Sequence, residues 1–197
     1  MIKDVSKILV VDLEATCWEK GVEPPGEKKE IIQIGWAWLD LATLAVSEKG
    51  QVLVKPQQSK ISEYCVNLTG ITPKMAKRGI PYQHACKHLI KTLGGRSRPW
   101  AAWGGDKKML DEQCAAMQAE FPFSDAHINL QLVMAVFSGE KHPRPGFEKV
   151  MAKLGLEPCG PPHRADNDAW DTAVVLSKMI ESFRRPASPA SASLDVG

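Results

Sequence analysis

Two acidic residues stand one position apart at the end of an apolar run near the N-terminus. The run is Ile8-Leu-Val-Val, and Asp12 and Glu14 follow it. Because alternate residues of a strand project from one face, these carboxylates would lie side by side, about 7 Å apart at the Cα level. Like charges this close repel each other unless a proton or a cation lies between them. The spacing therefore indicates a metal-binding pair or, in the simpler interpretation, two solvated acids on an edge strand.

Two stretches farther along the chain could add carboxylates to this pair. Trp103-Gly-Gly-Asp106 places an acid at a helix start, where Asp is also a common N-cap. His163-Arg-Ala-Asp-Asn-Asp168 leads into the last predicted helix, and a neutral imidazole there could accept a proton near pH 7. Spacing alone does not decide which acid of this stretch takes part: Asp166, Asp168 or Asp171.

The predicted elements show how these acids could meet. The first strand is apolar enough to be buried on both faces, which is typical of the centre of a sheet. Alternation predicts a second strand from Ile31 to Asp40, and a turn at Glu48-Lys-Gly50 precedes a third from Gln51 to Lys55. Helices and two short strands follow, at Trp100 to Trp103 and from Ile128. We expect an α/β fold with a mixed sheet and a central first strand.

Helical periodicity and capping residues predict the helices that flank this sheet. They are expected over 62–70, from Thr72-Pro73, over 83–93, after Gly105, towards Phe137, over 146–154 and over 166–183.

The composition is that of an ordinary globular domain. The chain has 197 residues, of which 44% are hydrophobic, enough to bury a sizeable core. Asp12 interrupts the first apolar run, so we expect no signal peptide, no membrane contact and a cytoplasmic protein. We expect one domain over 1–184 and, from its Pro, Ala and Ser content, a disordered tail over 185–197.

Positive charge is concentrated in the middle of the chain. Between Pro73 and Lys108 there are nine Lys and Arg residues and one acid, Asp106, which gives a local charge of +8. A phosphate backbone is a natural partner for such a segment. Several of these residues could instead line the solvated face of a helix, and the charge alone does not decide between the two.

The acidic motifs together resemble the DEDD-type 3′-to-5′ exonucleases of the ribonuclease H-like fold, in the subclass with a catalytic histidine (DEDDh). That family has Asp-x-Glu on its first strand, an Asp opening a helix mid-chain, and a His followed five residues later by an Asp, as His163 and Asp168 are here. Within the subclass the chain is most similar to exonucleases of the ERI-1 and KapD type. Four segments carry this similarity: Asp12-Leu-Glu-Ala-Thr-Cys17, Leu68-Thr-Gly-Ile71, Trp103-Gly-Gly-Asp106 and His163-Arg-Ala-Asp-Asn-Asp168-Ala169.

The resemblance implies a five-stranded mixed sheet flanked by helices and a role for each acid. Asp12, Glu14 and Asp168 would hold the ion that carries the attacking water. Asp12 and Asp106 would hold a second ion together with the phosphate, and His163 would take the proton from the water. Oxygen ligands of this kind suit two Mg²⁺ or Mn²⁺ ions rather than zinc.

The resemblance also implies where the nucleic acid 3′ end binds. Ala15 and the Leu68-Thr69-Gly70 loop would form the pocket for the terminal nucleotide, with Leu68 as a wedge against the base. Trp18 and Trp103 could stack on bases, although such Trp side chains more often belong to core or rim packing.

We expect single-stranded RNA to be hydrolysed from its 3′ end to nucleoside 5′-monophosphates, with single-stranded DNA as the alternative substrate. A catalytically weak nucleic-acid-binding module of the same fold is a second interpretation, but all four acids and the histidine are present. An endonuclease-like member of the fold is a third, and it does not explain the His163 to Asp168 motif. The sequence does not indicate an oligomeric state.

Overall fold

A computed structural model describes residues 2–139 and 145–184, so the predicted tail over 185–197 lies outside the described residues. The chain forms a five-stranded sheet in the order β3-β2-β1-β4-β5. Its central strand, β1, pairs antiparallel with β2 and parallel with β4. The strands are β1 Lys7–Ala15, β2 Ile31–Asp40, β3 Val46–Leu53, β4 Trp100–Ala102 and β5 His127–Asn129. The predicted mixed sheet with a central first strand is confirmed.

Seven α-helices accompany the sheet in the described part of the chain. They are α1 Glu63–Thr69, α2 Pro73–Arg78, α3 Tyr82–Leu93, α4 Asp106–Met117, α5 Leu130–Ser138, α6 Phe147–Lys153 and α7 Ala165–Arg184. The caps explain the short helices. Ser62 and Thr72 accept main-chain N–H groups at the starts of α1 and α2, and Gly70 ends α1 in the left-handed region at φ 69°. None of the described helices is long and apolar enough to cross a membrane.

The predicted turn at Glu48-Lys-Gly50 is wrong. These residues lie inside β3, and the chain turns earlier, where the Asp40 carboxylate accepts the N–H groups of Ala42 and Thr43. Glu48 has a φ of 54°, close to the point where the pairing of β2 with β3 shifts its register. The turn-like residues therefore mark an irregularity within the strand, where one extra residue is accommodated, and the third strand begins at Val46.

The two faces of β1 pack against different helices. Leu9, Val11 and Leu13 belong to a core cluster with residues of α3 and α4, whereas Ile8 and Val10 belong to a cluster with residues of α7. Asp12 and Glu14 continue the second of these faces because side chains alternate along a strand. The acidic pair is therefore on the side of the sheet that α7 covers.

A glycine lets α7 approach the sheet closely. A Cβ atom on Gly35 would lie 2.0 Å from the carbonyl carbon of Ala165, the first residue of α7. The Gln33 side chain fixes the same point, since its Oε1 accepts the N–H of Ala165 at 3.1 Å. Gly35 is the cross-strand neighbour of Asp12. The start of α7, which carries Asp168, is therefore held beside the acids of β1.

Candidate active site

One acid of β1 lies against the start of α7. Ligand atoms of Glu14, His163 and Asp168 are all within 4.8 Å of one another. Asp168 lies in the first turn of α7, where its N–H donates to the carbonyl oxygen of Arg164 at 2.9 Å. His163 precedes the helix in an exposed position with a φ of 57°. The structure thus brings together two predicted metal ligands and the predicted general base.

Asp106 reaches the same site from the neighbouring strand. The turn after β4 includes Gly104 at φ 86°, and Gly105 occupies the N-cap of α4. The interpretation of Asp106 as an N-cap is therefore wrong, because it is the first helical residue and its side chain caps nothing. Its Oδ2 is buried and, within the described residues, has no hydrogen-bond partner. A buried carboxylate oxygen without a partner is costly unless a cation or a proton occupies it.

Burial raises the pKa of every acid in this group, and the charges of neighbouring acids add to the effect at Asp12 and Glu14. For Asp12 burial is the largest cause, followed by the charges of Asp106, Asp168 and Glu14, and its pKa lies well above the usual range. Burial, with Asp168 and Asp106, raises the pKa of Glu14 to about 8. Burial raises the pKa of Asp106 to about 7 and that of Asp168 to about 6. We call Asp12, Glu14, Asp106 and Asp168 the acid cage.

The acid cage fits a hard divalent cation. Its donors are carboxylate oxygens, which Mg²⁺ and Mn²⁺ prefer, and one of them, Asp106 Oδ2, has no hydrogen-bond partner among the described residues. A cation would remove both the repulsion and the unpaired oxygen at once.

We expect Glu14→Gln to gain stability relative to the wild type as the pH rises, when both proteins are free of metal. The Glu14 pKa is raised, so folding favours its protonated form. Its contribution to stability is present below the unfolded pKa, near 4, and is lost as pH rises through about 8. Gln carries no charge at either pH. Thermal unfolding in EDTA at pH 6 and pH 9 measures the effect.

Glu157→Gln is the matched control for that experiment, because Glu157 is exposed. A difference in Tm between Glu14→Gln and the wild type that shrinks with rising pH would contradict the repulsion within the acid cage.

The structure distinguishes the three acids that spacing left open. Asp171 is buried and accepts the N–H of Cys159 at 3.0 Å. Asp166 lies 4.0 Å from the ammonium group of Lys49. Asp168 alone of the three belongs to the group with Glu14 and His163. The choice of Asp168 from the family motif agrees with this arrangement.

Two basic residues near the acid cage were missed by the sequence analysis. The charges of Lys29 and Arg164 both lower the pKa of Glu14, and Lys29 also lowers that of Asp106. Arg164 Nη1 lies 3.2 Å from the position that a Cβ of Gly70 would take, so its side chain extends from the cage to the end of α1. Lys29 lies in a polar loop that gives no functional signal, whereas Arg164 lies inside the His163 motif and could have been noted.

The predicted 3′-end pocket lies where α1 meets the end of β1. The carbonyl oxygen of Ala15 contacts the Cys65 thiol at 3.7 Å. Thr69 is buried, and its hydroxyl donates to the Cys65 carbonyl at 2.8 Å and accepts the N–H of Ile71 at 3.1 Å. Thr69 therefore shapes the turn, while the exposed Gly70 lies beside the Arg164 side chain. Binding of a nucleotide by these residues stays a prediction.

The two Trp candidates have different surroundings. The Trp103 ring packs edge-on against Phe147, with ring centroids 5.1 Å apart, and it joins two core clusters. This contact favours core packing for Trp103. Trp18 is partly exposed just beyond β1, and Leu68 is partly exposed near the end of α1. Both stay candidates for contact with a base.

A family model described as exonuclease (RNase_T) matches residues 9–176. The human 3′-5′ exoribonuclease 1 is 28% identical over 184 residues, which cover 88% of this chain and 52% of the relative. The chain thus spans about half the length of that curated relative. These matches confirm the predicted resemblance to DEDDh exonucleases.

Solved structures agree with this relationship. The crystal structure of a full-length 3′-exonuclease matches with a TM-score of 0.82 at 25% sequence identity. The alignment covers 93% of this chain and 63% of the chain in that structure. A 3′-exonuclease structure concerned with 3′-end-specific recognition of the histone mRNA stem-loop has a TM-score of 0.81 at 25% identity. The alignment covers 91% of this chain and 84% of the chain in that structure. The fold is therefore that of the ribonuclease H-like exonucleases.

Proposed function

Because the chain belongs to the exonuclease (RNase_T) family, whose members of the DEDDh type depend on divalent metal ions, we propose that it removes nucleoside 5′-monophosphates from the 3′ end of single-stranded RNA. The observation that carries this proposal is the convergence of β1, α4 and α7 on one acid cage, with His163 at its edge. Phosphodiester hydrolysis needs this combination of a cation site and a proton acceptor.

Two divalent ions, Mg²⁺ or Mn²⁺, would be held by the acid cage and would neutralise charge on the attacking and leaving oxygens. Asp12 has the charges of all three other acids around it and would contribute its carboxylate to both ion sites. The exposed His163 imidazole takes a proton from the attacking water, and its left-handed backbone turns it towards Glu14 and Asp168. The charge of Arg164, between the cage and Gly70, holds the scissile phosphate against the site.

RNA is favoured over DNA by what is known of similar proteins. The human relative is named an exoribonuclease, and one of the similar solved structures concerns recognition of a histone mRNA 3′ end. No described residue is assigned to the 2′-hydroxyl that separates the two nucleic acids. Single-stranded DNA is therefore the alternative substrate for the same chemistry.

We expect the protein to shorten 5′-labelled single-stranded RNA stepwise from its 3′ end in Mg²⁺ or Mn²⁺ and to stop in EDTA. A matched DNA oligomer should be degraded more slowly, and a 3′-phosphate should block degradation because the family pocket takes a free 3′ end. Denaturing gels of single-turnover time courses give the order of the products.

Two outcomes separate the competing interpretations. Cleavage of a circular RNA would contradict an exonuclease and favour an endonuclease of the same fold. RNA binding without any metal-dependent cleavage would favour the binding module.

A further inference from the structure

A groove rimmed by lysines lies between α2 and the segment that leaves β3. Its volume is about 330 Å³, and Lys55, Lys60 and Lys77 are among the residues that line it, together with Pro56 and Pro73. No acidic side chain and no aromatic ring is part of the lining. We call this feature the basic groove.

The lysines of the basic groove are exposed and carry no ion pair within the described residues. This distinguishes them from four cations of the basic segment over 73–108, to which Lys77 of the groove also belongs. Arg96, Arg98, Lys107 and Lys108 of that segment each pair with a carboxylate. The positive charge that stays available near α2 is increased by Lys74 and Arg78, which are also exposed. Cations without carboxylate partners attract anions, and three of these cations line the groove.

A buried carboxylate holds the wall of the groove that carries Lys60. Glu30 is 3% exposed and accepts three main-chain N–H groups. These come from residues 57, 58 and 59, at 2.8, 2.9 and 2.6 Å. The Glu27 carboxylate accepts the N–H of Lys60 at 3.0 Å. Both acids bind main chain, so the loop is fixed while the Lys60 side chain stays exposed.

Glu30 also connects this wall to the end of β1, the strand that carries Asp12 and Glu14. Thr16 lies two residues beyond Glu14, and its N–H donates to the Glu30 carbonyl at 2.8 Å. The Glu30 N–H in turn donates to the Thr16 hydroxyl at 2.9 Å. The groove therefore has a fixed position relative to the acid cage.

Helix α1 separates the groove from the predicted 3′-end pocket. Lys60 is two residues before the N-cap of α1, Ser62, and the Leu68-Thr69-Gly70 loop is at the other end. A seven-residue helix is about 10 Å long, a distance that a few nucleotides of extended RNA can span. The opposite wall is also fixed by a main-chain hydrogen bond. The Lys55 N–H donates to the carbonyl oxygen of Ile80, which lies just after α2, at 2.9 Å.

We propose that the basic groove binds backbone phosphates of the RNA on the 5′ side of its terminal nucleotides. The inference rests on the proposed exonuclease function, and it assigns a second contact for the same substrate. The groove offers ammonium groups and no stacking surface, so it binds without preference for sequence. It matters for long substrates and is not reached by a dinucleotide.

The test replaces the three lysines by glutamine in one variant, Lys55→Gln with Lys60→Gln and Lys77→Gln. Affinity for a 20-nucleotide RNA is measured in EDTA over a range of salt concentrations, and hydrolysis of a dinucleotide is measured in Mg²⁺. We expect affinity for the long RNA to fall about tenfold or more and the salt slope to decrease by about 2 for three lost phosphate contacts. Dinucleotide hydrolysis should stay within about twofold of the wild type.

Matched controls separate this site from a general effect of charge. Lys87, Lys91 and Lys153 are also exposed and lack ion pairs within the described residues, so their triple glutamine variant removes the same charge elsewhere. A triple arginine variant of the groove keeps the charge and should retain affinity. Equal affinity of the two glutamine variants, or loss of affinity in the arginine variant, would overturn the proposal.

The outcome for this groove is distinguishable from the outcome for the proposed function. If the wild type cleaves no dinucleotide and no long RNA, the exonuclease function fails, while a selective loss of RNA affinity in the groove variant still supports the groove. If cleavage is normal and affinity is unchanged, only the groove fails.

Discussion

Asp12→Asn is expected to reduce hydrolysis by about 10³-fold or more while leaving the metal-free protein at least as stable as the wild type. The charges of the three other acids of the cage all act on Asp12, and each of them raises its pKa. On the proposed mechanism, an amide at this position would remove one ligand oxygen and the charge shared by the two ion sites, so two ions could no longer be held. The same change relieves repulsion within the cage, and therefore removes a source of instability.

Three measurements on this variant are needed together. Single-turnover hydrolysis gives the loss of activity, thermal unfolding in EDTA gives the stability, and the increase in Tm on adding Mn²⁺ reports metal binding. Asp125→Asn is the matched control because Asp125 is exposed and takes part in no ion pair within the described residues. Normal turnover by Asp12→Asn, or an unchanged response to Mn²⁺, would exclude Asp12 as a ligand.

Among glycine-to-alanine substitutions in the described part of the chain, Gly35→Ala is expected to produce the largest loss of stability. The new methyl group would stand 2.0 Å from the Ala165 carbonyl carbon and 2.3 Å from the Asp166 nitrogen, both of them main chain. Neither can yield by a side-chain rotation, so the start of α7 must move away from β2. We expect a cost of about 3 kcal/mol and a decrease in Tm of about 5–10 °C.

Activity should fall further than stability in the Gly35 variant, by about 10²-fold at a temperature where the protein is fully folded. The reason is that α7 carries Asp168 and follows His163, and a displacement of about 1 Å at a catalytic group is enough for such a loss. Gly146→Ala is the control, since a Cβ at Gly146 meets no atom of the described residues within 4 Å. A Gly35→Ala protein with wild-type Tm and turnover would show that the close approach is not needed.

The local parts of the site could be predicted from the sequence. Asp12 and Glu14 share a face because of the alternation of a strand, and Asp106 follows a tight glycine turn, so both positions depend on residues next to them. The family motif selected Asp168. Its separation from Asp166 and Asp171 in space depends on how α7 is oriented against Gly35, which no local pattern contains.

Other features depend on packing between distant segments and were therefore missed. Lys29 lies in a polar loop, and its approach to the acid cage is set by the pairing of β1 with β2. The residues at Glu48 have the composition of a turn, but the pairing with β2 keeps them in the sheet. The sequence favoured packing over base stacking for Trp103 but did not indicate its partner, which is the distant Phe147 ring.

Glu30 joins two parts of the chain: its carboxylate accepts the main-chain N–H groups of residues 57–59, and its main chain pairs with Thr16, just beyond β1. Because the three amide hydrogens share one carboxylate as acceptor, we expect them to exchange with water together, and this loop and the end of β1 to open as one unit. A ligand at either end of such a unit suppresses the opening of both. On the two proposals above, we therefore expect metal in the acid cage to favour binding of phosphates in the groove, and a long substrate in turn to favour binding of the ions.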